Sequence, residues 1–198
     1  MGRRRIDKGI PFKGFQGYNV KEEIVFAGFG GQGIMFMGKA IAYAAMNEGK
    51  QVTWIPSYGA EVRGGTAYSM VIISDEAIAS PLIKDPTICV AMNGPSLRKY
   101  EAKIKTGGLL IVNKSIIDIE PARKDIEILN IPITELASEA GDHRIGNMVA
   151  LGALLGKRKI INVESLISGL KDIVSSTYYS LLPVNEKAIR KGFEYGSR

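Results

Sequence analysis

The chain has 198 residues and 21.5 kDa, enough for one domain with a sizeable core, and its 45% apolar and 23% charged residues match those of folded proteins rather than disordered ones. Mean hydropathy is +0.04 and no apolar run approaches the ~18 residues that a membrane helix needs, which excludes a membrane-spanning helix and a membrane partner. The net charge of +6 is concentrated at the start, where Arg3, Arg4, Arg5, Lys8, Lys13 and Lys21 face Asp7 alone, so the remaining body has no surplus of cations for binding nucleic acid.

Residues 1–21 read as a basic, disordered arm, and residues 22–198 as a single domain. The arm has no apolar core of the secretory kind, so a cytoplasmic location is expected. An RNA or an acidic partner is the other use open to it. Residues 23–27 (Glu-Ile-Val-Phe-Ala) predict a buried strand that ends in a glycine turn over 28–33. Ile34, Met37, Ile41 and Ala45 then recur at helical spacing, and Gly49 stops the helix. A second strand is expected over 52–55, broken by Pro56, followed by a loop rich in glycine and charge over 57–66. Further strands are expected over 67–73, 87–92, 109–112 and 125–131, with a short polar helix over 96–105. Helices near 134–140, 144–155, 163–173 and 186–195 complete the chain. Short apolar strands alternating with amphipathic helices predict an α/β fold: a Rossmann-like, open, mostly parallel sheet with helices on both faces.

Catalytic equipment is sparse. One cysteine, Cys89, and one histidine, His143, are too few for a disulfide framework, a Cys/His zinc site or a cysteine-ligated iron–sulfur cluster. Cys89 lies in an apolar strand and reads as a buried, inert thiol. His143 opens an apolar helix and reads as a helix-start or packing residue, and no Gly-x-Ser-x-Gly elbow accompanies it. No catalytic residue and no metal ligand is assigned.

Gly28-Phe29-Gly30-Gly31-Gln32-Gly33 matches Gly-x-Gly-x-x-Gly between a strand and a helix, the setting in which such a turn meets an anion. A dinucleotide site also needs an acid about 20 residues on to hold a ribose hydroxyl, and that region reads Thr53-Trp54-Ile55-Pro56-Ser57. An overlapping P-loop match, from Gly33 through Gly38-Lys39, has Ala40 where a Mg²⁺-binding hydroxyl belongs, and its intervening residues are apolar and helical. The loop beginning Ser57-Tyr58-Gly59-Ala60-Glu61-Val62-Arg63-Gly64-Gly65 starts at the carboxyl end of the second strand, where open α/β sheets bind ligands and partners. Ser57, Tyr58, Glu61, Arg63, Gly64 and Gly65 are therefore candidate partner contacts. The other reading is a hairpin-like excursion with solvated charges.

These segments together resemble the gamma subunit of 2-oxoacid:ferredoxin oxidoreductases. The resemblance runs in order over about residues 22–195. It rests on the glycine turn with Ile34, on Ser57-Tyr58-Gly59 with Glu61, and on Arg63-Gly64-Gly65 and Ala91-Met92-Asn93. Gly107-Gly108, Gly146-Asn147 with Leu151-Gly152-Ala153, and Asn185-Glu186-Lys187-Ala188 complete it. It implies a multi-subunit enzyme of anaerobic metabolism that oxidatively decarboxylates a 2-oxoacid to acyl-CoA and passes electrons to ferredoxin. A 2-oxoglutarate or branched-chain substrate is favoured by the 54–59 segment. The resemblance further implies thiamine diphosphate with Mg²⁺, [4Fe-4S] clusters and CoA in the complex. The thiamine-diphosphate motif of Gly-Asp-Gly followed by paired asparagines is absent, and Gly141-Asp142-His143 is its nearest approach. Those groups are accordingly expected on alpha, beta or delta-type partners, with this chain supplying assembly and cleft surface. On this view Gly28, Gly30, Gly31, Gln32 and Gly33 contact an anion or a partner, and Asn93 joins the 57–65 contacts. A homodimer is expected of the isolated chain. The competing class is a stand-alone dinucleotide-binding oxidoreductase, distinguished by binding of NAD(H) or FAD to the purified chain.

Overall fold

The computed structural model describes residues 21–57 and 67–198. Among these, six strands form one sheet in the order β2-β3-β1-β4-β5-β6. β1 (Lys21–Gly28), β4 (Ile88–Ala91), β5 (Leu109–Asn113) and β6 (Glu127–Ile131) run parallel to one another. β3 (Ala67–Ser74) pairs antiparallel with both β1 and β2 (Gln51–Ser57), so the parallel half ends in an antiparallel hairpin. The expected α/β sheet is present, mostly parallel, with this hairpin as its one irregular edge.

Pro56 does not break β2, as its sequence position suggested; the strand continues to Ser57. β2 is an edge strand, and a residue without an N–H loses nothing where that group would face away from the sheet. The parallel strands are continuous apolar runs because both of their faces are covered: all four residues of β4 and all five of β5 are buried.

Coverage of the two faces is unequal. On one face, Ile24, Phe26, Val90, Leu109 and Ile111 pack against α1 (Ile34–Asn47), α3 (Ile133–Ala140), α4 (Gly146–Lys157), α5 (Val163–Ile173) and α6 (Leu182–Gly196). On the other, among the described residues, Val25, Ala27, Cys89, Leu110 and Val112 are covered by α2 (Gly94–Tyr100) and the connecting segments that carry Ile83, Ile104 and Ile117. The helix expected over 96–105 is this α2, which starts at Gly94 because Asn93 caps it, and which tightens to a 3₁₀ turn over Glu101–Lys103. The last helix begins at Leu182, four residues before the sequence signal, after a 3₁₀ segment at Ser176–Leu181 that the apolar spacing does not reveal.

α4 and α6 lie side by side and parallel, at a separation set by glycine. Gly152 and Gly156 on α4 face the carbonyls of Ile189 and Phe193, while Gly192 and Gly196 on α6 face those of Val149 and Ala153. A Cβ at any of the four would overlap the backbone opposite. This contact orients the start of α4, which reaches the site described next.

Candidate functional site

α1 follows β1 on one face of the sheet and α2 follows β4 on the other, and β1 and β4 are neighbours. The chain therefore winds outward in both directions from the β1–β4 pair, and the carboxyl edge between them is the switch point where doubly wound folds bind ligands. The glycine turn stands at this point. β1 ends at Gly28, and Gly31 and Gly33 have φ of 89° and 71°, left-handed values that a Cβ would strain. Gly28 is required by crowding: a Cβ there would come within 2.6 Å of Gln32 Oε1 and 2.9 Å of Met92 Cβ. Gly33 precedes α1, and a Cβ on it would strike the carboxamide of Asn147, at the start of α4.

Gln32 closes the turn. Its Oε1 accepts a hydrogen bond from the Phe29 N–H at 2.7 Å, and its Nε2 donates to the Met92 carbonyl across the switch point at 3.1 Å. The Gln32 N–H donates in turn to the Phe29 carbonyl at 3.3 Å. One backbone donor that a phosphate could have used is thus held by the turn's own side chain, and the Phe29 ring is left 43% exposed at the tip.

Asn93, at the end of β4, faces inward. It is 1% exposed, and its Oδ1 accepts from the Ser96 N–H at 2.8 Å, so it fixes the start of α2 rather than the outer surface. Its Nδ2 and the Ser96 hydroxyl are buried without a hydrogen-bond partner among the described residues. Ser57, at the end of β2, is half-buried and level with Tyr68 and Ala27 across the hairpin. It lies on the same edge as the glycine turn but two strands from β1, about 10 Å away. Residues 58–66 join β2 to β3 as the hairpin's connection. Tyr58, Glu61, Arg63, Gly64 and Gly65 lie outside the described residues.

A dinucleotide reading requires the second strand to neighbour the first, so that its end can hold the ribose. Here β3 separates them. The P-loop match lies within α1, where Met37, Gly38 and Ala40 are buried, and Lys39 Nζ donates to the Ile173 carbonyl at the end of α5.

The thiamine and cluster chemistry has no matching donor set in the described residues. Cys89 is fully buried in β4, and burial pushes its thiol up to about 12. His143 sits exposed in a 3₁₀ turn ahead of α4. The neighbouring Asp142 carboxyl is held at about 2, chiefly by hydrogen bonding from the Arg144 guanidinium and also by the Arg144 N–H. Gly141-Asp142-His143 is thus a helix-entry turn with its carboxylate already engaged. Among the described residues, no group of three or more His, Cys, Asp or Glu side chains is placed to hold a metal ion, and no helix is long and apolar enough to cross a membrane.

Met92 and Asn147 carry the family resemblance in the sequence, but the structure gives them contacts beyond it: the Met92 carbonyl anchors Gln32, and the Asn147 carboxamide seats on Gly33. Nothing in their spacing announces either contact, because both cross between elements distant in sequence.

A switch-point fold with its glycine turn closed by its own glutamine defines a domain poor in catalytic groups of its own. Residues 23–195 match the family model for pyruvate ferredoxin/flavodoxin oxidoreductase. The chain belongs to this family, among its gamma-type members. It is 35% identical over 178 residues to the 2-oxoglutarate synthase subunit KorC of Methanocaldococcus jannaschii, covering 88% of this chain and 94% of that one. It is 36% identical over 179 residues to the ketoisovalerate oxidoreductase subunit VorA of Methanothermobacter marburgensis. That match takes in 88% of this chain but only 36% of VorA, so the chain spans about a third of that relative's length.

Two solved structures share the fold. The gamma subunit of a keto/oxoacid ferredoxin oxidoreductase from Geobacter sulfurreducens superposes with a TM-score of 0.76 at 31% identity, over 88% of this chain and 98% of that one. The 2-oxoglutarate:ferredoxin oxidoreductase of Magnetococcus marinus, solved with 2-oxoglutarate, coenzyme A and succinyl-CoA bound, superposes with 0.79 at 30% identity, over 89% of this chain and 31% of that one.

Proposed function

We propose that this chain works as the gamma-type subunit of a cytoplasmic complex that oxidatively decarboxylates a 2-oxoacid to acyl-CoA, with ferredoxin as the electron acceptor. Thiamine diphosphate, Mg²⁺ and [4Fe-4S] clusters are carried by alpha, beta or delta-type partners, and the chain is inactive alone. The observation that carries this reading is the end-to-end match to a gamma-type subunit over nearly the whole domain, combined with a chain that owns one buried cysteine. A 2-oxoglutarate or branched-chain substrate is favoured, in keeping with the names of the relatives KorC and VorA.

Within the complex the carboxyl edge faces the partner subunits. The turn over 28–33 supplies a surface for them, and Arg63 of the 58–66 connection contributes a further partner contact. Gln32's use of the Phe29 N–H supports a protein contact over a phosphate contact at the turn. Asn93 acts from beneath, by fixing α2. Lys21 opens β1, so the basic segment expected over 1–21 stops at residue 20, and the isolated chain forms a homodimer.

The test is to co-purify the chain with its partner subunits and assay the complex with 2-oxoglutarate, ketoisovalerate and pyruvate, following ferredoxin reduction. Reduction dependent on CoA and on this chain is expected. Full activity in a complex lacking the chain overturns the proposal.

A further inference from the structure

The hairpin edge of the sheet carries an oddity of composition. Neither β2 (Gln-Val-Thr-Trp-Ile-Pro-Ser) nor β3 (Ala-Tyr-Ser-Met-Val-Ile-Ile-Ser) contains a charged residue. Edge strands that face water are ordinarily protected by charge, lysine above all, because an uncharged edge invites pairing. Pro56 is the one protective residue here, and it guards a single position.

The two faces of this hairpin differ. Toward α1, Trp54 lies on the helix, its Nε1 donating to Ser69 Oγ at 2.8 Å, with Gly38 packed against both. Toward α2, the pairs Ile55–Met70 and Ser57–Tyr68 make successive rows, all four side chains partly exposed. Met70 and Tyr68 pack at the margin of the smaller core cluster, and Ile55 belongs to neither cluster. In register, these rows continue into Val25 and Ala27 of β1, and the chain then runs into the exposed Phe29 at the glycine turn.

The charged side chains that α2 sets beside these rows are of one sign. Across β2, β3 and α2 the only ionisable acid–base side chains carrying charge at neutral pH are Arg98 and Lys99, with Lys99 Nζ lying 5.3 Å from the centre of the Tyr68 ring. Two copies meeting through this face would bring the same cations together, whereas a partner with carboxylates around an apolar centre would match it. In VorA and in the Magnetococcus enzyme the matching segment is about a third of a longer chain, so further protein is linked to the domain there.

We propose that the α2-side face of the β2–β3 hairpin, floored by Ile55, Met70 and Tyr68 and bordered by Arg98 and Lys99, seats a partner subunit that presents an apolar centre rimmed by carboxylates. This deepens the reading of the chain as a subunit and rests on it.

Hydroxyl-radical footprinting of the full-length chain, alone and in the purified complex, tests it. Oxidation of Met70 and Tyr68 should fall at least about fivefold on assembly, while Met46, exposed on α1, stays reactive. Lys99→Glu, a surface change that leaves the isolated chain folded, should weaken assembly about tenfold, and Ile55→Asp further. An intact complex with Met70 as reactive as in the free chain overturns the docking surface and leaves the subunit reading in place. Protection that appears in the free chain as its concentration rises assigns the face to a second copy and overturns the proposal. If the wild-type chain joins no complex, the subunit reading fails and this inference fails with it.

Discussion

The Gln32 side chain donates to the Met92 carbonyl at 3.1 Å and so ties the glycine turn after β1 to the end of β4, across the point where the winding of the sheet reverses. The same carboxamide accepts from the Phe29 N–H. A sequence pattern associated with phosphate binding is here a locked protein surface.

Gln32→Glu separates the two halves of that contact. A carboxylate still accepts from the Phe29 N–H but cannot donate to Met92, and sets a charge against the carbonyl. The expected loss is about 1–3 kcal/mol of stability, larger than for Gln32→Met, which gives up both bonds but adds no charge and leaves the exposed Phe29 N–H to water. Urea denaturation of the two variants measures the difference, and equal losses contradict the assigned bond.

The glycines divide into two kinds, and their variants should divide with them. Gly31 has φ of 89° and open space around it, so Gly31→Ala should cost only the backbone term of about 1–2 kcal/mol. Gly192 is helical, but a Cβ there would overlap the Val149 carbonyl and force α6 away from α4, so Gly192→Ala should cost about 3 kcal/mol. The prediction fails if the order is reversed in equilibrium unfolding.

Acid stability follows from the carboxylates. Burial works against ionisation of Glu23, but Lys105 and Lys21 outweigh it and hold the carboxyl below its ordinary 4.5. Hydrogen bonding from Lys157, opposed by burial and reinforced by Arg158, lowers Glu127 as well, and Asp142 sits at about 2. Each group binds its proton more weakly folded than unfolded. Their stabilisation is therefore complete above the unfolded values and is lost as pH falls through the folded ones. Thermal melts should be flat from pH 7 to about 5 and decline below about 4, and Glu127→Gln should soften that decline. A melting temperature unchanged down to pH 2 contradicts these pairings.

The 58–66 connection is tested by Arg63→Ala. The variant chain should fold normally and co-purify less well with partner subunits. Unchanged recovery in a pull-down at matched concentrations removes Arg63 from the interface.

Much of the fold was legible because burial writes itself into the sequence. β4 and β5 are apolar throughout, as strands covered on both faces must be, and α1 shows its buried stripe at Ile34, Met37 and Ile41. The start of α6 was not legible: Leu182, Pro183 and Val184 read as loop because a proline precedes the periodic stretch, although proline suits a first helical turn. The insertion of β3 between β1 and β2 was equally hidden, since strand order depends on which apolar faces meet in space. At the site, the glycines were visible as a motif, but the meaning of the motif turned on Gln32 reaching Met92, 60 residues away in the chain.

The most direct measurement is native mass spectrometry of the complex recovered from its source cell through a tag on this chain, with thiamine and iron assayed in the same sample. Recovery with a thiamine-diphosphate-binding subunit and a cluster-bearing subunit is expected, both cofactors leaving with those subunits when the complex is dissociated. Recovery of the chain alone with a bound nucleotide would contradict the subunit role.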